Sequence, residues 1–298
     1  MSHHTLSYQE EVATRCKAAE DGCCISMRQL AIVSLLSHPE NQEIPDLTRN
    51  VLETSASEGD EISSYILDFM EEYGEFSGFN DGENDIDWEV LKGLILKHDP
   101  AEIPKPLIAK SEPSLRVFDG IFSPLMIAYI EMTSRPLLQP STVRGRDPTD
   151  DRQTEVRQSE EAIWALSAGD LVYRFIAETI ARQTGCSLHL TKTVAVIRYG
   201  PGDHFKPHYD EAPRSTDLRP GLRRTYSFIG YLNDGFDGGE TIFPKARLKI
   251  TPRAGAGVIF RNFTDEGVLD PSALHGGAPV RAGEKWIWVM WFYEPWPV

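Results

Sequence analysis

The sequence predicts an α+β protein with an all-α module in the first hundred residues and a sandwich or barrel of short strands behind it. Three observations carry this. Apolar residues recur at three- and four-residue spacing through Tyr8–Glu20, Ile25–Ser37, Pro45–Ser57 and Glu61–Tyr73, the period of an amphipathic helix. From Leu188 onward the chain turns to short β-rich runs punctuated by Gly-Pro-Gly, Asn-Asp-Gly, Asp-Gly-Gly and Arg-Ala-Gly, the pattern of an all-β layer. Between the two, Pro100, Pro104, Pro106 and Pro113 make a stretch too proline-rich for a regular element.

Taken in order, the helical module covers residues 1–99, the proline-rich linker 100–113, and the second domain 114–298. Within the module, Ala19-Glu-Asp-Gly22-Cys-Cys-Ile25-Ser26 lines up with Ala56-Ser-Glu-Gly59-Asp-Glu-Ile62-Ser63, an internal period of 37 residues. Helix-pair repeats of this length stack so that each buries its face on the next. An unrelated helical extension stays open as the alternative. An acidic polar loop is expected over Ser77–Asp87 and a short helix over Trp88–Leu96. Beyond the linker, Ser114–Phe122 reads as an opening strand with a turn, Pro124–Ser134 as a helix, Ser141–Ser159 as a polar loop and Glu160–Thr184 as a long helix. Strands are expected at Leu188–Tyr199, Thr225–Leu232, Thr241–Phe243, Leu248–Ile250, Gly257–Asn262 and Trp286–Tyr293.

The 298 residues are 41% hydrophobic and 25% charged, ordinary values for a globular protein with a buried core. No apolar run reaches the eighteen or so residues that span a bilayer, and the first residues show no basic and apolar segments of a secretory signal. Membrane partners are therefore not expected. The cysteines are Cys16, Cys23, Cys24 and Cys186, with no CxxC spacing. A reduced cytoplasmic protein is the expectation. Residues 1–105 hold 22 Asp/Glu against 7 Lys/Arg, whereas residues 106–298 hold 23 of each. The whole net charge of −15 thus belongs to the first part. Such a surface disfavours nucleic acid and favours basic partners, or serves solubility alone.

The candidate chemistry lies near the C-terminus. His208-Tyr209-Asp210 is followed by His275, 65 residues after Asp210, and by Lys285 ten residues later. Two imidazoles and one carboxylate are the set that holds ferrous iron on one face and leaves positions open for oxygen and a co-substrate. On a strand, residues i and i+2 point the same way, so His208 and Asp210 are expected to grip one ion. His204 lies four residues before His208, but Pro201 and Gly202 argue against a regular strand there, and it is set aside as a ligand. Lys285 opens the apolar run Lys-Trp-Ile-Trp-Val-Met-Trp-Phe, where an inward lysine needs an anionic partner.

These residues sit in four blocks. They are Val196-Ile-Arg-Tyr199-Gly-Pro-Gly-Asp-His-Phe-Lys-Pro-His208-Tyr-Asp210, then Arg224-Thr-Tyr-Ser227-Phe-Ile-Gly-Tyr231-Leu232-Asn233, then Gly238-Gly239-Glu240-Thr241-Ile-Phe243-Pro244. The last is Leu269-Asp-Pro-Ser-Ala-Leu-His275-Gly-Gly-Ala-Pro279-Val280-Arg-Ala-Gly283-Glu-Lys285-Trp286. In sequence and order they resemble the prolyl 4-hydroxylase-like iron(II)/2-oxoglutarate dioxygenases, from about Leu107 to the end. The N-terminal part is faintly similar to Sel1-type helical repeats.

The first resemblance implies a double-stranded β-helix, or jelly roll, with supporting helices. It implies iron(II) held by His208, Asp210 and His275, with 2-oxoglutarate and O2 as co-substrates and ascorbate supporting activity. Lys285 would fix the distal carboxylate of 2-oxoglutarate, with Tyr199 and Thr241 reaching the same molecule through their hydroxyls. Arg224 and Trp291 would face the substrate. From its position right after the ligands, Glu211–Arg223 is either a lid over the substrate or a plain connector. The expected reaction is hydroxylation of an unactivated carbon in a protein or peptide, most directly a peptidyl proline, releasing succinate and carbon dioxide. Two alternatives remain: a hydroxylase of a free amino acid or small natural product, and a non-catalytic helical-repeat scaffold. Because both histidines must be neutral to ligate, activity is expected to fall at low pH. Oligomeric state is not legible.

Overall fold

In the computed structural model the first helix begins at a capping box, and the first and third helices end on glycine corners. The structure describes residues 6–38, 44–72, 86–96, 105–141, 156–167, 169–211 and 221–295. Most of the expected acidic loop, residues 142–155 of the polar loop, residues 212–220 of the expected lid and Trp296 lie outside them. Helix α1 (Tyr8–Glu20) opens with a capping box, in which the Ser7 hydroxyl accepts from the Glu10 amide while the Glu10 carboxylate accepts from the Ser7 amide. It is followed by α2 (Cys24–Ser37), α3 (Ile44–Ser57), α4 (Glu61–Glu72) and α5 (Trp88–Leu96).

The 37-residue period reappears as geometry. Gly22 and Gly59 both take left-handed backbone, with φ of 90° and 94°. The Gly22 amide donates to Ala19 O and that of Cys23 to Ala18 O, both at 2.9 Å. Thirty-seven residues on, Gly59 donates to Ala56 O and Asp60 to Ser55 O, at 2.9 and 3.1 Å. These are the paired terminal bonds of a Schellman cap, which glycine enters without a Cβ penalty. Each helix pair thus turns on the same three-residue corner. In the second pair Asp60 also accepts from the Ser63 amide and pairs with the buried Arg28 guanidinium, so the corner is tied back to α2.

The chain forms two compact units, Met1–Glu102 with Ala165–Thr179, and Ile103–Trp164 with Ile180–Val298. The first unit therefore takes back a segment that the sequence reading gave to the second domain. The cause is specific bonding: Arg174 donates to the Glu11 carboxylate at 2.6 Å, and the Leu171 amide donates to the Gln29 side chain at 3.3 Å. Among the described residues no helix is long and apolar enough to cross a membrane.

The second unit holds strands β1 (Ile108–Ser111), β2 (Ser114–Phe118), β3 (Gln139–Pro140), β4 (Arg157–Gln158), β5 (Glu160–Ala165, which ends at the unit boundary), β6 (Thr193–Tyr199), β7 (His204–His208) and β8 (Leu222–Tyr231). They are followed by β9 (Asp237–Gly238), β10 (Thr241–Phe243), β11 (Leu248–Ile250), β12 (Gly257–Arg261), β13 (His275–Gly277), β14 (Val280–Ala282) and β15 (Lys285–Pro295). Helix α6 spans Pro124–Ser134, and α7 spans Leu171–Thr184. One sheet runs β1-β2-β12-β8-β15-β6-β5-β3, a second runs β11-β10-β13-β7-β4, and β14 pairs with β9. All pairings are antiparallel. The core includes Ile197, Tyr231, Val258, Phe260 and Val289 from the larger sheet, with Phe243 and Ile250 from the smaller one. This is the jelly roll, with two sheets closing on one apolar interior.

Two expected elements differ. The long helix over Glu160–Thr184 is a strand, β5, and then the shorter α7. Asp170 accepts from the Val172 amide at 2.8 Å and starts the helix there. Before it, Glu160 pairs with Arg198 of β6, so a sheet partner overrides the helix propensity of Glu-Glu-Ala. The linker, read as irregular through Pro113, contains β1. Pro106 and Pro113 bracket that strand instead of interrupting it, and its position at the sheet edge tolerates nearby prolines.

Candidate metal centre

The site is assembled at the seam between β7 and β13. Antiparallel pairing sets His275 directly opposite His208, and the two ring centroids lie 4.5 Å apart. The approach depends on Gly276, where an added Cβ would lie 2.7 Å from the carbonyl oxygen of Phe205. Each imidazole is oriented by its own backbone. His208 Nδ1–H donates to Lys206 O at 2.9 Å, and His275 Nδ1–H donates to Ala273 O at 3.0 Å. Carbonyls only accept, so Nδ1 is the protonated nitrogen of each ring in its neutral form, and Nε2 is the nitrogen left to face the common point. Phe205 stacks on the His208 ring at 3.6 Å.

Asp210 completes the set, but not by strand alternation. Strand β7 ends at His208, and Tyr209 and Asp210 lie beyond it. The chain is held there by Arg224, whose Nη1 donates to Asp210 O at 2.7 Å. The Asp210 carboxylate then reaches 3.4 Å from His208 Nε2 and 3.6 Å from His275 Nε2. Ligand atoms of all three residues fall within 4.8 Å of one another. His204, four residues before His208, is not among them.

The electrostatics suit a cation. Burial pushes the Asp210 carboxyl upward, yet the His275 and His208 imidazoles and a hydrogen bond from Ser227 prevail and hold it below the usual carboxylate range. Burial pushes His275 down to about 4, against the pull of Asp210, so its ring is neutral at physiological pH and offers a lone pair. Two Nε2 atoms and one carboxylate oxygen on three converging side chains are the facial set that suits ferrous iron.

Lys285 opens β15 opposite Tyr199 of β6 and is 2% exposed. Its ammonium donates to Gly239 O at 2.7 Å and lies 5.1 Å from the Tyr199 ring. Tyr199 and Thr241 are both buried, and the Tyr231 hydroxyl donates to Thr241 Oγ1 at 2.8 Å. One cleft of about 520 Å3, including its mouth, is lined by the three ligands together with Lys285, Tyr199, Thr241 and Trp291. Its walls are Ile197, Phe205, Ile229, Ile287 and Val289, with Arg157 at one side. Seven of the eight residues singled out from sequence therefore line one cavity. The eighth, Arg224, lies beside it, with its guanidinium 4.6 Å from the Trp291 ring and Nε donating to Tyr293 Oη at 3.0 Å.

Sequence reasoning missed Arg157, Tyr231 and Ser227. Arg157 stacks over Phe205 and holds Ser159 and Glu161. The one signal available was a charged residue before a short β-rich run, which is too common to single out.

Comparison with known proteins decides the class. Residues 194–293 match the family described as the 2OG-Fe(II) oxygenase superfamily. Residues 194–293 therefore carry a 2OG-Fe(II) oxygenase domain. Prolyl 4-hydroxylase 1 of Arabidopsis thaliana is 28% identical to the oxygenase over 204 residues, which covers 64% of this chain and 72% of that one. The alpha-1 subunit of rat (Rattus norvegicus) prolyl 4-hydroxylase is 28% identical over 209 residues, 66% of this chain and 39% of that subunit. A viral collagen prolyl hydroxylase from Paramecium Bursaria Chlorella virus-1, solved as a 2OG complex, aligns at 25% identity with a TM-score of 0.48. It covers 60% of this chain and 95% of its own.

The donor set fits the cofactors of the oxygenase. His208, Asp210 and His275 would hold iron(II), and the buried Lys285 would be the cation for the far carboxylate of 2-oxoglutarate. The lysine also sets a pH limit. Burial pushes its ammonium from 10.5 down to about 8, partly opposed by Glu240, and only the charged form pairs with a carboxylate. Co-substrate affinity is therefore full below pH 8 and falls above it by about tenfold per pH unit. Titration of 2-oxoglutarate into the iron-loaded protein between pH 7 and 9.5 measures this, and a flat profile would remove Lys285 from that role.

Proposed function

We propose that the oxygenase hydroxylates a proline within a protein or peptide, with 2-oxoglutarate converted to succinate and carbon dioxide. When bound, iron(II) with 2-oxoglutarate and O2 supplies the oxidation; the protein supplies orientation and exclusion of water. The observation that carries the substrate reading is the charge of the cleft. Among the described lining residues, the one carboxylate is Asp210, which belongs to the metal set. A free amino acid would bring an α-ammonium group with no counter-ion, and burying it so is costly. A proline inside a chain brings an apolar ring and a carbonyl acceptor. Trp291 matches the acceptor, since its Nε1 is buried and reaches no acceptor among the described residues. The names of the relatives point the same way.

The acid-rich first 105 residues, 22 Asp/Glu against 7 Lys/Arg, favour a basic target. All four cysteines are free, which fits a reducing compartment such as the cytoplasm. The test is succinate release with iron(II), 2-oxoglutarate, ascorbate and air, alone, with free L-proline and with proline-containing peptides. Stimulation by a peptide, together with one added oxygen on its proline, is the expected result. Stimulation by free proline alone would overturn the peptide reading in favour of a small-molecule hydroxylase.

A further inference from the structure

Phe205 and His208 lie three residues apart on β7, yet their rings stack with centroids 3.6 Å apart. On a regular strand, residues at that spacing point to opposite faces. The register explains the exception. His275 pairs with His208 and Gly277 with Phe205, so two steps along β13 match three along β7. The extra residue makes a β-bulge, which turns Phe205 onto the face of the ligand. Pro207, which has no amide to give to a ladder, falls inside it.

A bulge re-aims a side chain but does not clamp it. On the β13 side the neighbour of Phe205 is Gly277, which has no side chain to offer. On the β4 side it is Arg157, directly opposite, whose guanidinium carbon lies 5.2 Å from the Phe205 ring centroid. That guanidinium is pinned at two corners. Nε donates to Ser159 Oγ at 3.1 Å and Nη2 to the Glu161 carboxylate at 2.7 Å, and Ser159 donates in turn to Ser141 Oγ at 2.8 Å. Arg157 is 8% exposed, and a cation over a ring attracts it most strongly where water is excluded. Guanidinium thus touches phenyl, and phenyl touches imidazole. We propose that Arg157 is a positioning residue for the metal ligand His208, acting through Phe205. His208 is the last residue of β7, and its Nδ1 is tied only to the carbonyl of Lys206 at 2.9 Å, inside the bulge. One hydrogen bond fixes where a nitrogen points and leaves the ring free to tilt about it. A flat contact supplies the plane, and with it the aim of Nε2.

The inference rests on reading His208, Asp210 and His275 as a metal centre, and two readouts keep the two apart. In the metal-free full chain, NMR of the His208 ring protons, shielded upfield by the stacked phenyl, reports the contact itself. Cobalt(II) titration followed by visible absorption reports the ligand, with near-UV circular dichroism as the check of folding. Phe205→Leu should move the ring protons downfield. Arg157→Leu should move them part of the way and weaken cobalt binding by about 3- to 30-fold, the range of a desolvated cation–ring contact. Where Arg157→Leu does not fold, Arg157→Lys takes its place. It keeps a cation beside Glu161 but not the flat face, and should shift both readouts in the same direction. The double variant should lose no more than Phe205→Leu alone, because Arg157 acts through the ring. Folded Arg157 variants with unmoved His208 protons, cobalt binding within about twofold of wild type, or effects that add in the double variant would overturn the proposal. A wild-type protein that takes up no cobalt would sink the metal centre, and this role with it, whatever the ring protons show.

Discussion

Asp210→Ala is expected to leave a folded protein that no longer retains iron, with succinate release at the level of the iron-free blank. The side chain contributes the one negative charge of the ligand set, and without it two neutral imidazoles face the metal alone. Losing a ligand should cost more than the roughly 100-fold that marks the upper end for contacts behind one. The fold should survive because what holds the segment is the backbone: Arg224 donates to the Asp210 carbonyl, which alanine keeps. Metal content after dialysis, read beside circular dichroism, checks the prediction. Stoichiometric iron in the variant would mean that another group completes the site.

Lys285→Met is expected to raise the KM for 2-oxoglutarate by roughly 30-fold to a few thousand-fold while iron affinity stays unchanged. Removing one member of a buried charge pair typically costs about 2–5 kcal/mol, and the lysine here is 2% exposed with a carbonyl as its hydrogen-bond partner. Methionine keeps the length of the stem, so the strand should not collapse around it. The same change should stabilise the protein in the absence of co-substrate. A buried ammonium pushed down to about 8 from 10.5 penalises the folded state. That penalty is full below pH 8 and fades as the pH approaches 10.5, where the unfolded lysine also loses its proton. The variant should therefore melt higher than wild type at pH 7, with the gain shrinking towards pH 10. An unchanged KM, or a melting gain that does not vary with pH, would show that Lys285 is not the isolated buried cation of the cleft.

What could be read from the chain was local. Helices α1 to α6 announce themselves through apolar spacing, and the corners at Gly22 and Gly59 through their 37-residue period. The triad was legible because His208 and Asp210 are two residues apart, and because His275 and Lys285 sit in a block with a recognisable spacing. The readings that failed are those where a distant partner outweighed local preference. Glu160–Ala165 has the composition of a helix yet forms a strand, because Arg198 and the edge of β6 await it. Strand β1 forms between prolines because β2 offers it a ladder.

The same division runs through the site. The sequence by itself determined which side chains would ligate and that a buried lysine would need an anion, since donor type and hydropathy belong to single residues. Only the tertiary structure decided how those groups are aimed. Asp210 is held by Arg224, whose backbone carbonyl accepts in turn from Asn262, a residue 52 positions from Asp210 in the chain. Arg157 reaches Phe205 in the same way. Such contacts are made by antiparallel registers that close over long loops, and nothing in the nearest neighbours of Asp210 encodes them.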